Sequence, residues 1–141
     1  MSRFGHFESD RIVAAIAAAE KSTSGEIRVH VTRRVPDDLE ARAKRRFHLL
    51  GMTNTKHRNG VLIYVAPRAR KFRVLGDTGI HEKMGDTFWS AVAAEMEERF
   101  RKGEFTEGVI AAVQRVGEAL ATHFPPRPND VNELPDPIDR E

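Results

Sequence analysis

NGVLIYVAPRARKFRVLGD, residues Asn59 to Asp77, carries the clearest structural signal in the chain. Val61 to Ala66 is an unbroken apolar run rich in β-branched side chains and too short for a helix, so it reads as a strand buried on both faces. Pro67 to Arg70 is a short link with proline at its head. Lys71 to Leu75 resumes as a second strand, with Phe72 and Val74 alternating against Lys71 and Arg73. Gly76-Asp77-Thr78-Gly79 ends it with turn chemistry. A hairpin returns both ends of this stretch to one edge of a sheet, so Asn59 and Asp77 are expected to be neighbours.

Upstream, a helix opens at Glu8 or Ser9, with Ile12, Ala15, Ile16 and Ala19 repeating at i, i+3, i+4, i+7. Gly25 follows its basic last turn. Glu26 to Val35 alternates, placing Ile27, Val29, Val31 and Val35 on a buried face and Arg28, His30, Thr32 and Arg34 on an exposed one. Pro36-Asp37-Asp38 starts a second helix, where Asp37 and Glu40 resemble a capping box. Its inner stripe is Leu39, Ala43, Phe47 and Leu50, and Gly51 stops it.

Downstream of the hairpin, Gly79 to Gly85 reads as irregular or a single helical turn. Asp86 is expected to cap a third helix, with Phe88, Val92, Met96 and Phe100 inward and Trp89 beside them. A Met and aromatic stripe at this spacing is core. Gly103 closes that helix, and Thr106 is expected to cap a fourth built on Ile110, Val113, Gly117, Leu120 and Phe124. Residues 1–124 then form one domain, and 125–141 a proline-rich acidic tail, extended or disordered.

A strand, a crossover helix and a buried strand imply parallel pairing with a right-handed crossover, to which the hairpin adds an antiparallel strand. The expected fold class is α/β: a three-layer α/β/α sandwich with a small mixed sheet. In that topology the start of strand one, the start of strand two and the end of strand three share a rim. Glu26, Asn59 and Asp77, with the following His81 and Glu82, converge there from distant parts of the sequence.

Composition narrows the function classes. The chain has 141 residues and no cysteine, which removes disulfides, thiolate metal sites and cysteine nucleophiles. No apolar run approaches the roughly 20 residues of a membrane span, and the first residues lack a signal-like apolar region, so a cytoplasmic location is expected. Net charge is +2, divided between a body at +5 and a tail at −3. Basic residues crowd Arg33 to Arg73, which admits binding of nucleic acid or an anionic surface through the arginine-rich second helix. No aromatic side chains interleave with these charges as stacking platforms, so a solvated helix face is the stronger reading and nucleic acid is not expected as partner.

The segments GEIRVHV (Gly25 to Val31), NGVLIYVA (Asn59 to Ala66), KFRVLGDTGI (Lys71 to Ile80), FRKGEFTEGV (Phe100 to Val109) and HFP (His123 to Pro125) together resemble a TPM domain. This family is named after thylakoid, photosystem-repair and acetylcholine-receptor-associated members. The resemblance covers roughly residues 9–125 and implies an α/β/α sandwich. It also implies an assembly or repair role, binding of a divalent metal, usually calcium, and in some members acid phosphatase activity. Family members often carry an acid directly before the Asn-Gly of strand two; here that position is Arg58.

Candidate ligands for a divalent cation are Asp77, Glu82, Asn59, Glu26 and Asp86, since calcium takes about six to eight oxygens from carboxylates and carbonyls. Against this, the chain has no D-x-[DN]-x-[DN]-G loop, and Lys56, Arg58 and Lys83 oppose a cation. The competing reading is that Asp77 caps a turn and Asp86 caps the third helix. A weak, metal-assisted phosphatase would use Asp77 as nucleophile and Arg58 or His81 for phosphate, but no phosphatase signature is present. The six histidines include no i, i+4 pair, which argues against zinc. Gly76-Asp77-Thr78-Gly79 lacks the G-x-x-x-x-G-K-[ST] frame of a phosphate loop, and no organic cofactor is expected. These observations favour a binding or assembly module with a protein partner not identified by sequence.

Overall fold

Two apolar patterns of different period meet at the centre of this chain, and each builds the layer its period dictates. In the computed structural model, which describes residues 8–126 and 138–140, the order is α1 (Ser9–Glu20), β1 (Glu26–Val31), α2 (Leu39–Leu49), β2 (Gly60–Ala66), a 3-10 turn (Pro67–Ala69), β3 (Lys71–Gly76), α3 (Thr78–Arg101), α4 (Phe105–His123) and β4 (Ile138–Arg140). The sheet order is β3-β2-β1-β4. β1 runs parallel to β2, with Glu26 opposite Gly60 and Val31 opposite Val65. β3 returns antiparallel, with Val61 opposite Gly76. Helices cover both faces, as the α/β reading requires.

The pleat separates two cores. Ile27, Val29, Val31, Val61, Ile63 and Val65 point to one face, where they pack with α1, α3 and α4. Leu62, Tyr64 and Ala66 point to the other and meet Ala43 and Phe47 of α2. β2 is buried at all seven positions, as its unbroken apolar run predicts. α1 closes on α4 through Ile12 and Ile16, each contributing about 1.5–3 kcal/mol by full burial. Arg11 on α1 bonds Glu107 on α4 at 2.9 Å, and that bond holds the Glu107 carboxyl below its usual range.

Several expectations shift at element ends. β1 stops at Val31, and Val35 is exposed rather than inward, because the chain leaves the sheet before reaching it. α2 is capped by Asp38, whose carboxylate accepts from the Ala41 amide, in place of Asp37. α4 starts at Phe105, and the Thr106 hydroxyl instead accepts from the Glu8 amide. α3 begins at Thr78, capped by Asp77, and Gly85 (φ 74°, ψ 174°) breaks it into a short first piece and a long second one. That glycine is the boundary expected between the irregular stretch and the third helix.

The largest departure is on the polar face of β1. Arg28 and His30 are buried, so both faces of the strand are covered. The Tyr64 ring stacks on His30 with centroids 4.8 Å apart. Ile138–Arg140, part of the stretch read as tail, pair parallel with Val29 to Val31 and cover the β1 edge. His30 Nδ1 lies 2.5 Å from the Asp139 carboxylate there, and Arg46 of α2 approaches it at 3.7 Å. The rest of the tail, residues 127–137 and 141, lies outside the described residues. No helix among the described residues is long and apolar enough to cross a membrane.

Candidate functional site

Parallel pairing of β1 with β2 and the reversal into β3 bring three strand ends to one rim. The Asp77 amide donates to the Gly60 carbonyl at 2.9 Å, which seats Asp77 beside Asn59. Glu26 stands opposite Gly60 on the other side. The convergence expected from topology is therefore present for Glu26, Asn59 and Asp77.

All three side chains are engaged by other groups of the chain. Asn59 is buried; its amide donates to Thr55 Oγ1 at 3.2 Å and its Nδ2 to Ser24 Oγ at 3.3 Å. Glu26 is buried against Arg28, with Oε2 3.6 Å from Nη1. The same guanidinium reaches Glu20 at 3.4 Å and donates to the Ile27 carbonyl at 2.8 Å. Glu20 Oε2 in turn accepts from the Ile27 amide at 2.8 Å. Arg28 thus joins the end of α1 to the start of β1 through buried charge.

Asp77 is only 5% exposed and has both oxygens engaged. Oδ2 accepts from Arg58 Nε at 2.6 Å; Oδ1 accepts from Arg58 Nη2 at 2.8 Å and from the Thr78 amide at 2.8 Å. This fork-to-carboxylate geometry is the strongest that an arginine makes. The hydrogen bond to Asp77 raises the Arg58 pKa further above its ordinary value, so the guanidinium stays charged. Arg58 itself sits at φ 52°, the left-handed region, and its carbonyl accepts from the Gly79 amide at 2.8 Å. The loop before β2 is therefore tied to the first turn of α3 twice, once by side chain and once by backbone.

Glu82 and Asp86 do not join the rim acids. Both are exposed on α3; the Asp86 carboxylate lies 3.7 Å from His81 Nε2, and His81 Nδ1 accepts from the Trp89 indole at 2.9 Å. Among the described residues no three His, Asp or Glu side chains are grouped to hold a metal ion. As it stands the donor set does not fit a resident divalent cation, because the Arg58 guanidinium already bonds both oxygens of Asp77.

Two concavities flank β3. One, of about 290 Å³, opens beside the rim, where Lys44, His48, Arg58 and His81 surround the single carboxylate of Asp77. The other, of about 630 Å³, is a groove along β3 between α2 and α3. Sequence reasoning missed this groove and the buried Arg28 and His30. The signal for the latter was faint: an alternating strand reads as half exposed unless something covers its polar face, and here the cover comes from remote parts of the chain.

A family model described as the TPM domain matches residues 4–119. Among solved structures, the chain is similar to the BA42 protein of the psychrophilic bacterium Bizionia argentinensis, at 40% identity and TM-score 0.86, covering 96% of this chain and 95% of that one. It is also similar to the N-terminal domain of a P. gingivalis protein, at 21% identity and TM-score 0.72, covering 88% and 84%. A third likeness is to the N-terminal domain of the cg2496 protein of Corynebacterium glutamicum, at 19% identity and TM-score 0.63, covering 82% and 74%. The last two speak for the fold alone. Comparison with curated proteins finds no match.

Proposed function

The chain belongs to the TPM domain family, and on that premise we propose that it serves as a protein-binding or assembly module whose rim is closed by its own Arg58–Asp77 pair. The observation that supports this reading is the state of Asp77. Its two oxygens accept three hydrogen bonds, two of them from Arg58, so three of the roughly four lone-pair sites are taken by the chain's own donors and an attack on phosphorus or a bidentate grip on a metal needs a rearrangement. A divalent cation such as calcium is opposed at this rim by the Arg58 guanidinium and has to displace it to take Asp77 through both oxygens.

A second reading, the metal-assisted acid phosphatase, draws support from the rim cavity. Lys44, His48, Arg58 and His81 gather positive or ionisable groups around a carboxylate, as binding of a phosphate next to a nucleophile requires. The two readings separate on turnover of a chromogenic phosphomonoester with added calcium or magnesium. The module reading expects no turnover above buffer, and the same result for Asp77→Asn. Turnover by the unmodified chain that disappears in Asp77→Asn assigns the rim to catalysis and ends the module reading.

A further inference from the structure

The sheet has two edges, and the chain treats them differently. At the β1 edge the described residues include an added strand, Ile138–Arg140. At the other edge β3 is the last strand among the described residues. The Asp77 amide bonds the Gly60 carbonyl, so in the alternating antiparallel ladder residues 71, 73 and 75 turn their backbone groups toward β2. Phe72, Val74 and Gly76 turn theirs outward, into the groove between α2 and α3. Such a row of outward amides and carbonyls is a template for one more strand.

The side chains around that row specify what kind of strand. By the pleat, Phe72 and Val74 lie on the face of the larger core, where they are partly buried and where Trp89 borders the groove. Lys71 and Arg73 lie on the face of α2, with Lys44 of that helix also lining the groove. Glu40, bonded to Arg73, is the acid on this side, and Asp86 stands on the α3 side beside His81. Three cations against one acid on the α2 face leave it positive. A second copy of the chain docked edge to edge brings another Lys71 and Arg73 to the same face, which like-charge repulsion opposes.

The opposite edge displays the matching solution. There Ile138 sits opposite Val29 and packs on the larger core, while Asp139 turns to the α2 face and meets His30 and Arg46. An apolar residue to one face and an acid to the other is what the residues beside β3 also call for.

We propose that the β3 edge is a docking site for an extended segment of a partner protein in which apolar and acidic residues alternate, added to the sheet as a fifth strand. The apolar residues lie over Phe72, Val74 and Trp89, and the acids meet Lys71, Arg73 and Lys44. Backbone pairing supplies the attachment and the alternation supplies the selectivity. This inference rests on the module reading and names the surface that the module uses.

The test is titration of the isotope-labelled full chain with the peptide Val-Glu-Val-Glu-Val, its Val-Lys-Val-Lys-Val counterpart, and a copy of the first N-methylated at alternate residues. The expected result is saturable amide shifts centred on Phe72, Val74, Gly76 and Trp89 for the acidic peptide, with affinity at least about tenfold weaker for the other two. Val74→Pro removes an outward amide that β2 does not use, a substitution edge strands tolerate. It is expected to abolish the shifts while the remaining spectrum stays in place; the N-methylated peptide makes the same point without altering the protein. Absence of shifts, binding indifferent to N-methylation, or concentration-dependent shifts of β3 without peptide each overturn the proposal, the last by giving the edge to a second copy. A failed titration with no phosphomonoester turnover removes only this surface, whereas turnover lost in Asp77→Asn removes the module reading beneath it.

Discussion

Alanine in place of Arg28 lowers the unfolding free energy by about 3–5 kcal/mol, read as a fall in the urea midpoint with an unchanged slope. The size follows from where the charges sit. The Arg28 and Glu26 side chains are 2% and 4% exposed, so truncation leaves a buried carboxylate without its guanidinium. Glu20, at 16% exposure, is better able to recover water and keeps its bond from the Ile27 amide. The loss also severs a tie between α1 and the first strand, which the Ile27 carbonyl completes. Neutralising the acid along with the base, in Arg28→Met with Glu26→Gln, is expected to recover most of the loss, because a buried pair replaced on both sides costs little. A loss below about 1 kcal/mol for the single variant matches an exposed pair and contradicts the buried arrangement.

Gly79→Ala is expected to cost about 3 kcal/mol or more, at the upper end for an inserted methyl group. A β-carbon there falls 2.1 Å from the His57 carbonyl oxygen and 2.7 Å from that of Arg58. These are backbone atoms, so no rotamer change relieves the contact. The α3 turn has to separate from the loop before β2, which breaks the Gly79 to Arg58 hydrogen bond and draws Asp77 away from the guanidinium. Gly85→Ala differs in cause: nothing lies within 4 Å, but φ 74° with ψ 174° is a backbone region that essentially only glycine populates, at a cost of about 1–3 kcal/mol. Thermal unfolding reads both losses, and a loss below about 1 kcal/mol for Gly79→Ala contradicts the close approach there.

The sheet skeleton was legible because its signals are local. The apolar run of Val61 to Ala66, the alternation of Phe72 and Val74, and the crossover between Val31 and Gly60 fix strand directions, and directions fix which ends share a rim. Glu26, Asn59 and Asp77 followed from that alone. Their partners did not. Whether Asp77 is an open carboxylate or a closed one depends on Arg58 adopting a left-handed backbone and folding its fork back, which no spacing rule encodes. The sequence hint was the basic residue directly before Asn59. Glu82 and Asp86 are candidates because they follow Asp77 closely in the sequence, but the helix that begins at Thr78 carries both onto an exposed surface. The polar face of β1 was misjudged for a related reason, since Tyr64 and Asp139 are 34 and 109 residues away from His30.

That Arg58 holds the place of a cation at Asp77 is tested most directly by titrating calcium into the unmodified chain and into Arg58→Asn, a residue type that accepts the left-handed backbone. Amide shifts of Asn59, Asp77 and Thr78 report on the rim. The predicted result is no saturable shift at these three in the unmodified chain and a saturable one in the variant, at least about tenfold tighter. Saturation at the same amides with equal affinity in both chains contradicts it.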